Sequence, residues 1–72
     1  MTTLAFALDG DYIELKSLLK LTGLVNSGGE AKIVIDDGQV TVDGQVETRK
    51  AGKIRRGQVV EFAGTTILIE AA

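Results

Sequence analysis

The sequence contains no cysteine, histidine, proline or tryptophan, and only three aromatic residues. Without cysteine and histidine, disulfides and the usual zinc sites are excluded, as is catalysis by an imidazole or a thiol. Neither Ser17 nor Ser27 has a plausible activating partner, and the acidic residues do not follow the spacing of a calcium loop. We therefore expect no enzyme activity, no catalytic residues, no metal and no cofactor.

Long hydrophobic runs are also absent. The longest, residues 4–8, has the length of a strand, whereas a membrane helix needs roughly 20 apolar residues. No charged leader precedes an apolar run. An apolar fraction of 44% argues against disorder. We expect a soluble, cytoplasmic protein that does not bind membranes, with residues 1–72 forming a single small domain.

The charges are distributed unevenly along an acidic chain, whose net charge is −2. Residues 45–58, called the basic segment below, carry five cations against Glu47, a net charge of +4. The other residues carry three lysines and nine acids, a net charge of −6. A loop kept polar for solubility is one interpretation, but five clustered cations in an acidic chain favour a nucleic-acid-binding surface.

The N-terminal third predicts a strand followed by a helix. Residues 3–8 have the composition of a strand and end at a turn signal. Asp11 with Glu14 three residues later is a close variant of the capping box, which predicts a helix over residues 12–22 that ends at Gly23. Helical spacing gives this helix an apolar face made of Tyr12, Leu15, Leu18 and Leu19.

A second helix is predicted to begin at Ser27, because Ser27 and Glu30 form a full capping box. It is expected to end at Gly38 and to bury one face, formed by Ala31, Val34 and Ile35. The short link between the two helices, residues 24–26, predicts a helical hairpin.

After Gly38, apolar and polar residues alternate, and this pattern predicts strands joined by hairpin loops. Residues 40–46 centre on Asp43-Gly44, and either a two-residue or a three-residue loop fits. The two-residue loop leaves Val46 on the opposite face from Val40, whereas the three-residue loop pairs Val46 with Val40 on one buried face. We favour the three-residue loop, and both alternatives require a positive φ at Gly44. Two further strands are predicted over residues 59–63 and 66–70.

An ordered set of motifs resembles the RNA-binding domain of ribosomal small-subunit protein S-four, also called the alpha-L motif. The resemblance covers about residues 12–63, and residues 47–53 resemble the short stand-alone bacterial members. The residues that carry it are Ser27-Gly28-Gly29-Glu30-Ala31-Lys32, Ile35, Gly38, Val40, Val42-Asp43-Gly44, Ile54, Gly57, Val59 and Phe62.

This resemblance implies an α+β fold, in which a helical hairpin packs on a small, bent, mainly antiparallel sheet. It implies binding of structured RNA, ribosomal or transfer RNA, with room for a protein partner in RNA metabolism; we expect a monomer. Phe6 and Phe62 lie in apolar strands and are expected in the core, so recognition of the RNA backbone and shape is favoured over base stacking.

The candidate RNA-binding residues fall into two groups. At the start of the second helix, free N–H groups can bind phosphate, and glycine lets the phosphate oxygens come close. The other explanation of the two glycines is tight packing of the helical hairpin on the sheet. In the basic segment, cations gain affinity by releasing counterions. The candidates are Ser27, Gly28, Gly29, Lys32, Arg49, Lys50, Lys53, Arg55 and Arg56.

One departure from the resembled family supports a second hypothesis. Gly28 stands where the family usually has arginine, which removes a phosphate contact. Together with the acidic pI, it favours an alternative function: a protein-interaction or accessory module of an RNA-modifying complex that has lost direct RNA affinity.

Overall fold

A computed structural model describes residues 2–72 as two helices and seven strands. In chain order the elements are β1 (Thr2–Leu8), β2 (Ile13–Glu14), α1 (Leu15–Leu21), α2 (Gly28–Asp36), β3 (Val40–Val42), β4 (Gln45–Val46), β5 (Lys53–Ile54), β6 (Val59–Phe62) and β7 (Thr65–Ala71). This order of elements confirms the predicted α+β class. In the sequence, the two helices lie between strands β1 and β2 and strands β3 to β7.

Five strands form one sheet in the order β1-β7-β6-β3-β4. The β1–β7 pair is parallel, with Thr2 opposite Thr65 and Leu8 opposite Ala71, and the other three pairs are antiparallel. The remaining strands, β2 and β5, form a separate antiparallel ribbon. The sheet is therefore mixed and mainly antiparallel.

The core lies between the helices and one face of the sheet. Because side chains alternate along a strand, every second residue of the long strands points inward. The buried residues are Leu8, Leu15, Leu18, Leu19, Val25, Ala31, Ile35, Val40, Ile54, Val60, Phe62, Ile67 and Ile69, and Phe6 and Val34 pack partly buried against them. Both phenylalanines thus contribute to the core, as predicted.

The second helix agrees closely with its prediction. Ser27 Oγ accepts a hydrogen bond from the Glu30 N–H at 3.1 Å, and Glu30 Oε1 accepts one from the Asn26 N–H at 3.1 Å. Ala31 and Ile35 are fully buried, and Gly38 follows the helix with φ +77°. Local capping chemistry therefore accounts for this element.

The hairpin loop differs from the favoured prediction. Val42 pairs with Gln45, so the loop is the two-residue Asp43-Gly44, and Val46 is exposed. Both loop residues have positive φ, 52° at Asp43 and 84° at Gly44, which is typical of a type I′ turn. The three-residue loop is wrong, whereas the positive φ at Gly44 is confirmed.

The physical reason for the shorter loop lies in the neighbouring strand. The backbone N–H of Asp43 donates to the Val59 carbonyl at 2.8 Å. In return, Asp43 Oδ1 accepts from the Val59 N–H at 3.0 Å, and Oδ2 accepts from Gln58 Nε2 at 3.1 Å. These three hydrogen bonds fix Asp43 next to the start of strand β6. The two-residue loop therefore forms even though it leaves Val46 exposed.

The start of the first helix also differs from its prediction. Residues 13–14 form strand β2, and α1 begins only at Leu15. Its N-cap residue is Glu14, which makes no side-chain capping hydrogen bond, so Asp11 does not cap the helix. Tyr12 lies outside the helix and is 44% exposed, not part of its apolar face. Pairing with β5 overrides the local capping signal.

Candidate nucleic-acid interface

The β2–β5 ribbon separates an apolar face from a polar face. Ile13 lies opposite Ile54, and Glu14 lies opposite Lys53. Ile54 is buried, so the alternation of side chains directs Lys53 to the outer face. The same alternation places Tyr12, which precedes β2, and Arg55, which follows β5, on that outer face. The ribbon therefore presents cations and an aromatic ring to solvent.

A bidentate ion pair organises the loop between β4 and β5. Arg49 donates from Nε to Glu47 Oε2 and from Nη2 to Glu47 Oε1, each at 3.1 Å, and its backbone N–H also donates to Oε2. The side-chain hydrogen bond to Arg49 lowers the pKa of Glu47 below its ordinary value, and the same bond raises the pKa of Arg49. The charge of Arg49 is thus balanced within its own loop.

Gly52 lets this loop close against the ion pair. A Cβ at this position would lie 3.1 Å from the Arg49 carbonyl oxygen and 3.3 Å from Glu47 Oε1, closer than ordinary contacts. The Gly52 N–H donates to the Arg49 carbonyl at 3.0 Å. Gly52 is also buried, so a larger side chain has no space there.

The same loop caps helix α1. The N–H of Leu15 donates to the Gly52 carbonyl at 2.9 Å, and the N–H of Lys16 donates to the Lys50 carbonyl at 3.0 Å. These two donors have no partner within the helix itself. The position of the basic segment is therefore fixed relative to α1 by main-chain hydrogen bonds.

Four cations of the basic segment are exposed and take part in no ion pair within residues 2–72: Lys50, Lys53, Arg55 and Arg56. Two of them lie beside Tyr12. Lys53 Nζ is 4.9 Å and Arg55 Cζ is 5.9 Å from the centre of the Tyr12 ring, within the range of a cation–π interaction. These four side chains can contact phosphates directly.

The start of α2 is a separate group of candidates. Ser27, Gly28, Gly29 and Lys32 are all exposed. An added Cβ at Gly28 would meet nothing within 4 Å, and one at Gly29 would meet only Ser27 Oγ, at 3.8 Å. Tight packing of the hairpin on the sheet therefore does not explain these glycines. No hydrogen bond or ion pair within residues 2–72 joins this group to the basic segment.

We also searched the part of the chain that the structure describes for a metal site and for a membrane-spanning helix. No three acidic side chains among residues 2–72 lie close enough together to hold a metal ion. Among the same residues, neither helix has the length and apolar character needed to cross a bilayer.

Sequence reasoning missed two residues of this surface. The spacing of Tyr12 from Leu15 and Leu19 suits a helical face and so predicts a helix there. The alternation of Tyr12, Ile13 and Glu14 is also compatible with a strand, but a strand of two residues is too short to recognise in a sequence. Glu47 enters the charge count only as an opposing charge, although its position two residues from Arg49 permits an ion pair.

Known proteins are similar to this chain in sequence. The family model of the S4 domain matches residues 6–70. "Putative RNA-binding protein YbcJ" of Escherichia coli (strain K12) is 55% identical over 60 residues, 83% of this chain and 86% of that protein. "Probable ribosome maturation protein RlbA" of Bacillus subtilis (strain 168) is 34% identical over 58 residues, 81% of this chain and 82% of that protein.

A solved structure agrees with these matches. The solution structure of YbcJ from E. coli, described as revealing an alpha-L motif involved in RNA binding, superimposes with a TM-score of 0.66 at 49% identity. The match covers 99% of this chain and 89% of YbcJ. The resemblance noted in the sequence is confirmed, and the chain belongs to the S4 domain family.

Proposed function

We propose that this protein binds structured RNA, of the ribosomal or transfer RNA class, through the basic segment and the start of α2, in the cytoplasm and without catalytic chemistry of its own. The observation that carries the proposal is the group of four exposed cations, unpaired within residues 2–72, in a chain whose other regions are acidic. Such cations bind phosphates with a gain in counterion entropy.

The geometry of the basic segment supports this function in a second way. Its backbone is fixed by the hydrogen bonds to Leu15 and Lys16 and by the pairing of β5 with β2. A cation on a fixed backbone loses less conformational freedom on binding than one on a mobile loop. Structured RNA, whose phosphates are also fixed in space, suits such a surface.

The names of the relatives agree with the proposal. YbcJ is named for RNA binding, and RlbA is named for ribosome maturation. Within the proposed class, the second name favours ribosomal RNA as the ligand of this chain.

The experiment measures RNA affinity as a function of salt concentration. Lys50 and Arg56 are suitable residues to replace, because Arg49 is held by Glu47. The double variant Lys50→Ala/Arg56→Ala is expected to bind several RNA sequences more weakly, and by similar factors. The slope of log affinity against log salt should fall by roughly 1.5 to 2, nearly one unit for each lost phosphate contact. Lys32→Ala tests the start of α2 in the same titration.

A control removes charge elsewhere. Lys20→Ala loses one cation of α1 and should keep the parent slope. An equal loss of slope per removed charge in the two variants would mean that net charge, and no particular surface, governs binding. The alternative, a protein-interaction or accessory module, is favoured by Gly28 and by the pairing of Arg49 with Glu47. This alternative function is preferred if the parent protein binds RNA negligibly at low salt.

A further inference from the structure

Tyr12 is the exposed member of the three aromatic residues. Phe62 is buried and Phe6 packs partly buried against the core, whereas 44% of the Tyr12 surface is open to solvent. The prediction from the sequence favours recognition of the RNA backbone and shape over base stacking, because Phe6 and Phe62 are expected in the core. The exposure of Tyr12 makes stacking on a third ring feasible.

The surroundings of the ring combine two kinds of chemistry. Lys53 Nζ and Arg55 Cζ lie over the ring, 4.9 Å and 5.9 Å from its centre, and both belong to long, exposed side chains that can move aside. Glu14 is on the same face of the ribbon, but Lys16 lies 3.7 Å from its carboxylate, so the face stays cationic. An exposed ring beside cations is the arrangement with which proteins stack a nucleobase while neutralising the adjacent phosphates.

We propose that an unpaired base of the bound RNA displaces these cations from the Tyr12 ring and stacks on it, while Lys53 and Arg55 contact the phosphates on either side of that nucleotide. A base within a continuous helix has no free face, so the preferred ligand is structured RNA that carries an unpaired nucleotide, such as a bulge or a loop. This inference rests on the proposed RNA-binding function and specifies the class of RNA.

The test compares two RNA hairpins that differ only by one bulged nucleotide. Each stem is closed by a non-nucleotide linker, so the hairpin without the bulge contains no unpaired base. Tyr12→Leu, which removes the ring but keeps an apolar side chain, is expected to weaken binding of the bulged hairpin on the order of tenfold. Its affinity for the fully paired hairpin should change less than about twofold, since no stacking is lost there. Tyr12→Phe keeps the ring and should match the parent. Leu21→Ala, which truncates an exposed apolar residue of α1, is the control and should also match the parent.

The protein offers a direct optical readout, because it contains one tyrosine and no tryptophan. Stacking of a base on Tyr12 should quench the intrinsic fluorescence with the bulged hairpin and leave it nearly unchanged with the paired one. Circular dichroism checks that Tyr12→Leu remains folded, as expected for an exposed residue.

The outcomes separate this inference from the function on which it rests. If the parent binds both hairpins equally with a steep salt slope and no quenching, RNA binding stands and stacking is rejected. If Tyr12→Leu weakens both hairpins equally and lowers the salt slope, the ring only positions Lys53 and Arg55. If the parent binds neither hairpin, both proposals are wrong.

Discussion

The two helices of this protein begin in different ways. Helix α2 is capped from within its own sequence, since Ser27 Oγ accepts from the Glu30 N–H and Glu30 Oε1 accepts from the Asn26 N–H. Helix α1 has no side-chain cap. Its first two N–H groups, those of Leu15 and Lys16, donate instead to carbonyl groups of the distant loop between β4 and β5.

This difference has a consequence for the candidate interface. The loop that caps α1 also carries Arg49 and Lys50, so the positions of these cations and the start of α1 depend on each other. The start of α2, with Gly28 and Lys32, needs no such support. Changes in the loop should therefore disturb α1, whereas changes in the α2 cap should remain local.

The largest effect is expected from Gly52→Val. The new side chain would collide with the Arg49 carbonyl and the Glu47 carboxylate, so the loop must move away from α1. We expect a loss of about 2 kcal/mol in the free energy of unfolding, as is typical of overpacking. Hydrogen exchange should show reduced protection of the Leu15 and Lys16 amides.

The neighbouring residue supplies the control for that change. Ala51 is exposed, and Ala51→Val introduces the same side chain with an expected effect within about 0.5 kcal/mol. Unchanged protection of Leu15 and Lys16 in Gly52→Val would show that the loop carbonyls do not hold the start of α1.

A smaller effect is expected from Ser27→Ala. Removing the N-cap oxygen should lower the free energy of unfolding by about 1 kcal/mol, whereas Ser27→Asp keeps an acceptor and should stay within about 0.3 kcal/mol of the parent. Hydrogen exchange should accelerate at Glu30 and stay constant at Leu15. Equal acceleration at both amides would mean that the two helix starts are coupled after all.

The smallest effect concerns pH and the Glu47–Arg49 pair. The hydrogen bond from Arg49 favours ionised Glu47 and lowers its pKa below the ordinary 4.5. The stabilisation by this pair is therefore complete above pH 4.5 and is lost as the pH falls through the lowered pKa. The contribution to stability is small because the Arg49 side chain is largely exposed.

A side-chain NMR titration of Glu47 measures this effect, with Arg49→Gln as the comparison. In that variant the Glu47 pKa should rise towards its ordinary value, because the cation is gone. The same pKa in both proteins would show that Arg49 does not organise the loop in solution.

Local chemistry made the second helix and part of the candidate site predictable. The Ser27 and Glu30 box, the positive φ at Gly44 and the buried pair Ala31 and Ile35 follow from short-range sequence rules, and the structure contains all of them. The clustering of cations in the basic segment is likewise visible in the sequence. These features depend on residues within a few positions of one another.

Apart from the Glu47–Arg49 pair, the misses involve partners far apart in the chain. The Asp43 loop is set by Val59 and Gln58, and the start of α1 is set by the loop that ends at Gly52. Tyr12 leaves the apolar helical face because the next two residues pair with β5. At the start of α1, long-range hydrogen bonds outweighed a local capping preference worth only about 1 kcal/mol.

The α+β class, the cap and buried face of α2, and the location of the cationic segment can therefore be predicted from the amino-acid sequence alone. The position of Tyr12 next to Lys53 and Arg55 depends on the folded structure. The two sets of features differ in the sequence separation of the residues that produce them. Helix caps and turns are settled within one helical turn or hairpin loop, whereas the ribbon that builds the polar surface exists only once β2 and β5 have paired.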